Sequence, residues 1–259
     1  MSLPDSVRSA LTRFAGLSTV LVATDYDGVV APIVSDPAAA FPLPGTVDAL
    51  EALAAAPGVT VALVSGRDRA TLARLSGASP ALITVGSHGA EWDGGFEGAL
   101  TADLVELRST VLADLAAIAE RFPGAAVEPK PLGGALHVRN VADPAAGAQA
   151  LQEARRGPAA RPGVHATDGK AVLELTVLDA SKGRALTVLR ERVHADAVLY
   201  LGDDVTDEKA FAVLTGAEDV SVKVGDGATA ARFRVDGPAA ARAVFEELAA
   251  LRRGRSQGS

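Results

Sequence analysis

The sequence predicts an α/β fold: an open parallel sheet flanked by helices and interrupted by an inserted α/β domain. Three observations carry this. Short continuous apolar runs alternate with helix-periodic stretches in the first and last parts of the chain. Glycines and polar residues gather where those runs end. Between about residues 102 and 179 the runs give way to alternating apolar and polar positions, the mark of a sheet with one wet face.

Taken in order, Val20-Leu21-Val22-Ala23 is the first buried strand and stops at Thr24-Asp25-Tyr26-Asp27-Gly28. A helix stripe follows at Val47, Leu50, Leu53 and Ala54, entered after Pro44-Gly45-Thr46 and closed by Pro57-Gly58. Val59 to Val64 is a second buried strand ending at Ser65-Gly66-Arg67, and Leu82 to Val85 a third ending at Gly86-Ser87-His88-Gly89. Leu104, Leu107, Val111, Leu115, Ile118 and Phe122 mark a long amphipathic helix. Strands are expected at Ala126 to Lys130, Ala135 to Arg139 and Ala171 to Thr176. The parallel pattern returns with a helix at Ala185, Leu186, Leu189 and Val193 and the strand Val198 to Leu201. A last helix carries Ala241, Val244, Phe245, Leu248 and Leu251 on one face. The expected layout is a core of residues 1–101 with 180–259, and an inserted domain at 102–179.

Composition narrows the function. The 259 residues are 48% hydrophobic, enough for a sizeable core, and the net charge of −7 argues against a nucleic-acid partner. The basic tail Arg252-Arg253-Gly254-Arg255 is expected to be solvated and frayed. With no cysteine, disulfides, thiolate metal sites and a cysteine nucleophile are excluded. Met1-Ser2-Leu3-Pro4-Asp5 lacks the look of a signal peptide, and no apolar stretch approaches membrane-spanning length. The expectation is a cytoplasmic monomer with no membrane partner.

Four segments fall at strand ends: Asp25-x-Asp27-Gly28, Ser65-Gly66-Arg67, Ser181-Lys182-Gly183 and Gly202-Asp203-Asp204-Val205-Thr206-Asp207. In open α/β sheets, ligands bind beyond that carboxyl edge. Crowded carboxylates there repel each other unless a cation neutralises them, and an oxygen-only donor set favours Mg2+ over zinc. Such an arrangement suits phosphoryl transfer, with an aspartate nucleophile, a second carboxylate as acid and base, and a hydroxyl and an ammonium on the phosphoryl oxygens. Alone, Asp-x-Asp-Gly is more often a turn, and Asp207 or Thr206 is a candidate N-cap for the helix holding Phe211. Four segments in this order outweigh those plain readings.

In that order the segments resemble the four motifs of the haloacid dehalogenase superfamily. The resemblance implies a parallel-sheet (Rossmannoid) core, with Asp25 as nucleophile and Asp27 as general acid and base. It implies that Ser65 and Lys182 hold the phosphoryl group. Magnesium would be held by Asp25, the Asp27 backbone carbonyl and Asp203, with Asp204 and Asp207 holding metal-bound water or Lys182. Val29 stands where many members have threonine, which removes one hydroxyl contact.

The insert adds a polar sheet face: Glu128 and Lys130 share a face, as do His137 and Arg139, and Glu174 lies opposite Leu173 and Leu175. An ordinary solvated face is the plain reading, and a lid over a hydroxyl-rich substrate the sharper one. Gly86-Ser87-His88-Gly89-Ala90-Glu91, Glu128-Pro129-Lys130, His137-Val138-Arg139, Leu173-Glu174-Leu175 and Gly202 to Glu208 resemble the trehalose-6-phosphate phosphatase family. Val138 replaces that family's usual aromatic residue. The resemblance implies that Glu128, Lys130 and Glu174 contact the disaccharide, and that Arg67 and His88 line the core side of the cleft. For His88 a structural role in its loop competes evenly with sugar contact, and His165 and His194 are expected to be ordinary histidines. Lid hinges are expected near 98–103 and 177–181. Rival readings are a phosphatase for sucrose, mannosylglycerate or glucosylglycerol phosphate, a phosphomutase, and a non-catalytic sugar-phosphate-binding regulatory module.

Overall fold

The run Val20–Thr24 (β1) lies in the middle of a six-stranded sheet ordered β12-β11-β10-β1-β2-β3. Its partners are β2 (Val59–Val64), β3 (Ile83–Val85), β10 (Ala197–Gly202), β11 (Val220–Val224) and β12 (Phe233–Val235). Every pairing is parallel. The structure is a computed structural model that describes residues 3–93, 95–96 and 101–256.

Alternate residues of β1 feed two separate cores, which is why the strand is apolar at every position. Val20 and Val22 pack with α1 (Asp5–Ala15), α2 (Thr46–Ala54), α3 (Arg69–Ser76) and α8 (Pro238–Ser256). Leu21 and Ala23 pack with α6 (Lys182–Val193) and α7 (Val205–Val213) on the other side. Strand order reverses between β1 and β10, so the loops after these two strands flank the switch point at which such sheets bind ligands.

The chain divides into two compact units, Met1–Gly94 with Ser181–Ser259 and Gly95–Ala180. The short strand β4 (Glu91–Trp92) belongs to the first, and β5 (Gly95–Phe96) opens the second. Of the expected hinges, residues 98–100 lie outside the described residues.

The second unit is a four-stranded antiparallel sheet, β6-β7-β9-β8, formed by β6 (Ala126–Lys130), β7 (Gly133–His137), β8 (His165–Gly169) and β9 (Val172–Thr176). Helices α4 (Ala102–Arg121) and α5 (Pro144–Arg156) cover one face, packing Val111, Leu115 and Ala150 on Leu136, Leu173 and Leu175. Strand β7 begins two residues before its expected start at Ala135, because Gly133 and Gly134 are strand rather than turn. A Cβ on Gly133 would lie 1.8 Å from the Leu175 carbonyl oxygen, and one on Gly134 would lie 2.6 Å from Leu112 Cδ2. Close packing on both faces therefore demands glycine. Arg139 falls beyond the strand end, so it does not share a strand face with His137.

The basic tail is not frayed. Helix α8 runs on to Ser256, and Arg252 is buried, donating to the carbonyls of Ala15, Leu17 and Pro57. Its guanidinium ties the end of α1 to the turn before β2, a role for a planar fork of donors that composition cannot reveal. Among the described residues no helix is long and apolar enough to cross a membrane.

Candidate active site

Asp25 follows β1 directly, and its backbone N–H still donates to Leu201 on β10 at 2.9 Å. The side chain is only 5% exposed. Its Oδ1 accepts the Tyr26 N–H at 2.7 Å, and its Oδ2 lies 2.7 Å from Lys182 Nζ. Burial pushes the Asp25 carboxyl well above the usual carboxylate range; Lys182 pulls against this, while Asp207 and Asp203 add to it.

Lys182 opens α6, whose N-cap Ser181 accepts the Arg184 N–H at 3.1 Å. The lysine is 2% exposed and also reaches Asp207 Oδ1 at 2.8 Å. Burial works against its charge, but Asp25 and Asp207 outweigh it and raise its pKa above the ordinary lysine value.

Asp207 organises the loop after β10. Its Oδ1 accepts from Lys182 and, at 2.7 Å, from the Tyr200 hydroxyl. Its Oδ2 accepts the backbone N–H groups of Asp203 and Asp204, both at 2.9 Å. Four donors fill the four lone pairs of a fully buried carboxylate. The N-cap of α7 is Asp204, not Thr206 or Asp207; Asp207 is the reciprocal N3 partner of a capping box.

Asp203 is placed differently. Its backbone is gripped by Asp207 on the N–H and by Lys223 on the carbonyl, while its carboxylate nests against Gly28. A Cβ on Gly28 would lie 1.9 Å from Asp203 Oδ2, and φ there is +76°, so glycine is required twice over. Burial and then Asp207 push the Asp203 carboxyl up to about 6.

Oxygens of Asp25, Asp203 and Asp207 lie within 4.8 Å of one another. Proximity alone would make all three metal ligands. Asp207 has no lone pair left, so the two open carboxylates are Asp25 and Asp203. Negative charge in excess of what Lys182 neutralises, with only oxygen donors, fits a hard divalent cation such as magnesium. The Asp27 carboxylate is turned elsewhere: both its oxygens accept from Arg67 at 2.7 Å. Any metal contact from Asp27 is left to its backbone.

Ser65 follows β2 directly, fully buried, with its Oγ accepting the Arg67 N–H at 3.2 Å. Arg67 also donates to the Pro37 carbonyl at 2.8 Å. His88 lies against Gly66, its Cε1 2.4 Å from where a Cβ would stand.

In the second unit, Glu128, Ala135 and Glu174 are paired across neighbouring strands and share the face opposite the helices. Lys130 meets Glu174 at 2.6 Å across β7, where Gly133 and Ala135 leave room for the bridge. His137 Nε2 lies 2.8 Å from Glu128.

Two positions escaped the sequence reading: Tyr200, inside an apolar strand, and Lys223, inside β11. A lysine flanked by Val222 and Val224 was the available signal.

A family model described as trehalose-phosphatase matches residues 23–239, the stretch that holds all four motifs and the insert. The chain belongs to the trehalose-phosphatase family. The trehalose-phosphate phosphatase of Mycobacterium tuberculosis (strain ATCC 25618 / H37Rv) is 36% identical over 268 residues, covering 95% of this chain and 66% of that protein. The chain thus spans about two thirds of the length of the curated relatives it matches. Among solved structures, the C-terminal domain of trehalose-6-phosphate phosphatase from C. albicans superposes with a TM-score of 0.78 at 25% identity, covering 94% of this chain and 96% of that one. Aspergillus fumigatus trehalose-6-phosphate phosphatase gives 0.71 at 30% identity, covering 94% and 97%. The expected fold, a parallel-sheet core with an inserted α/β domain, is the fold found in these trehalose-phosphatase relatives.

Proposed function

We propose that this chain hydrolyses trehalose 6-phosphate to trehalose and phosphate, with Asp25 as nucleophile. The observation that carries the chemistry is the buried Asp25 carboxylate, held by the Tyr26 N–H and Lys182 beside the open carboxylate of Asp203.

Asp25 attacks phosphorus, the bond from phosphorus to the sugar oxygen breaks, and Asp27 gives that oxygen its proton. Water then attacks the aspartyl phosphate, Asp27 takes its proton, and phosphate leaves with the Asp25 carboxylate restored. Lys182 and Ser65 hold the phosphoryl oxygens throughout. Asp25, Asp203 and the Asp27 carbonyl would hold magnesium, which when bound would supply positive charge against the oxygens that become more negative in transfer. Both Asp27 oxygens accept from Arg67, so handing a proton to the leaving oxygen requires Asp27 to give up that pair. Asp204, which caps α7, would order water near that site.

Glu128, Lys130 and Glu174 bind the sugar, with Arg67 on the core side. A carboxylate and an ammonium already paired at 2.6 Å offer hydroxyl groups both an acceptor and a donor with little reordering. The proposal takes the protein to be a cytoplasmic monomer formed of a core, residues 1–101 with 180–259, and a cap, 102–179.

The test is phosphate release from trehalose 6-phosphate and from sucrose, mannosylglycerate and glucosylglycerol phosphates at one magnesium concentration. Preference for another member of that panel refutes the substrate. Asp25→Asn should lose turnover while staying folded, and a fully active Asp25→Asn would remove the covalent mechanism.

A further inference from the structure

The turn between β3 and β4 is strained and heavily fastened. Ser87 and His88 both have left-handed backbones, with φ of 50° and 56°, although neither is glycine. Consecutive side-chain-bearing residues hold that conformation only when the surroundings impose it. Here the imposing contacts lead to the two phosphoryl-holding groups of the proposed reaction.

On one side the turn grips the Ser65-Gly66-Arg67 loop. The N–H of Ser87 donates to the Arg67 carbonyl at 2.7 Å, and that of His88 to the Ser65 carbonyl at 2.8 Å. The imidazole fills the space beside Gly66, with Cε1 2.4 Å and Nε2 2.7 Å from an added Cβ. Gly66 has no left-handed φ to explain it; what it contributes is the missing side chain. Glu91 Oε2 accepts the Arg69 N–H at 2.7 Å, which ties the start of α3 to the same turn.

On the other side the turn rests on the start of α6. Gly89, with φ of +113°, would place a Cβ 2.6 Å from the Ser181 carbonyl oxygen and 3.1 Å from Ala185 Cβ. Ser181 is the N-cap of the helix whose first residue is Lys182. The Gly89 carbonyl also accepts the Trp92 indole N–H at 2.9 Å. One rigid turn therefore touches both the Ser65 loop and the helix that presents Lys182.

We infer that the Gly86–Glu91 turn is a template fixing Ser65 relative to Lys182, and that His88 is a positioning residue acting through Gly66 rather than a sugar contact. This rests on the phosphatase reading above and departs from the sugar-side role the family resemblance gives His88. A misplacement of about 1 Å among reacting groups can cost on the order of 100-fold in rate. Such a loss falls on every phosphate ester, whatever its leaving group.

The experiment is a double-mutant cycle of His88→Ala and Gly66→Ala, read with trehalose 6-phosphate, with p-nitrophenyl phosphate, which has no sugar, and by competitive inhibition with inorganic phosphate. His88→Ala should lower kcat/KM about tenfold on both substrates and weaken phosphate inhibition to a similar degree. Gly66→Ala alone should cost more, because its Cβ meets the imidazole. In the His88→Ala background that space is open, so adding Gly66→Ala should cost only about two- to threefold. Losses confined to trehalose 6-phosphate would make His88 a sugar contact and overturn the inference, as would additive effects in the cycle. A His88→Ala protein too unstable to assay is met by His88→Asn, which suits left-handed backbone and should show the same equal loss on both substrates. If the wild-type chain releases phosphate from neither substrate, the phosphatase reading falls and takes this one with it; an active wild type with an additive cycle sinks the template alone.

Discussion

Replacing Asp207 by asparagine separates two roles that proximity confounds. Its carboxylate is fully buried and accepts from Lys182, Tyr200 and the N–H groups of Asp203 and Asp204. An amide has one acceptor oxygen, so its NH2 must face one of the two donor pairs whichever way it turns. Two buried donors then lose their acceptor, at about 1–3 kcal/mol each. Breaking a buried ion pair on one side is worth about 3–5 kcal/mol, so the two estimates agree on a loss near 4 kcal/mol. At about 2–4 °C per kcal/mol for a domain of this size, the melting temperature should drop on the order of 10 °C. Calorimetry with and without magnesium supplies the decisive contrast. Because Asp207 has no lone pair to offer, Asp207→Asn should still be stabilised by magnesium, from its lower starting point. Asp203→Asn should keep most of its metal-free stability and lose the magnesium-dependent increment. At about 100 times Kd that increment is about 2.7 kcal/mol, a shift of several degrees that is easily resolved. An Asp207→Asn protein that melts within 2 °C of the parent (about half a kcal/mol), or that alone loses the increment, refutes the assignment.

Three other outcomes are expected. Gly28→Ala puts a methyl group 1.9 Å from Asp203 Oδ2 and should lower phosphate release by about 100-fold or more; a variant retaining a tenth of the activity contradicts this. Asp203 titrates near 6, above the unfolded value of about 3.9, so its ionisation costs the metal-free fold stability as pH rises from about 4 through 6. Magnesium needs the ionised form, so its affinity should fall at least about tenfold per pH unit below about 6; an affinity unchanged from pH 5 to pH 7 by titration calorimetry would rule this out. Glu174→Gln breaks the charge pair with Lys130 and should raise KM for trehalose 6-phosphate about tenfold while sparing p-nitrophenyl phosphate, and equal effects on both would refute a sugar-binding role.

How much was legible follows from burial. Strands β1, β2 and β10 have helices on both faces, so their apolar runs leave little else to be. Strand β11 was missed because Val220-Ser221-Val222-Lys223-Val224 alternates like a half-wet strand, yet all five residues are buried. Its polar side chains find partners inside: Ser221 Oγ accepts the Arg232 N–H at 3.0 Å, and Lys223 donates to the Asp203 carbonyl. Edge strand β8, His165-Ala166-Thr167-Asp168-Gly169, has almost no apolar signal because it pairs only with β9 and is largely exposed. Helix α1 carried a readable stripe, Val7, Ala10, Leu11 and Phe14, that went unread. Contacts between residues distant in sequence were the true blind spot. Neither Arg67 closing on Asp27 nor Arg252 reaching back to α1 leaves a local trace.

The same distinction sorts which carboxylates keep oxygens open to a cation. Spacing alone places Asp25, Asp27, Asp203, Asp204 and Asp207 at strand ends and does not rank them. Hydrogen-bond saturation can. Asp207 accepts four donors, and Asp27 gives both oxygens to one guanidinium. Asp25 has one donor on each oxygen, leaving a lone pair open on both. Among the described residues the Asp203 side chain accepts no hydrogen bond at all, while its backbone is held at N–H and carbonyl alike. A carboxylate with a fixed backbone and unfilled oxygens is expensive to bury, and its pKa near 6 records that expense. On the proposed reading that cost is offset where a cation and a phosphoryl group would be received, and Gly28, by lacking a side chain, lets the Asp203 carboxylate lie there.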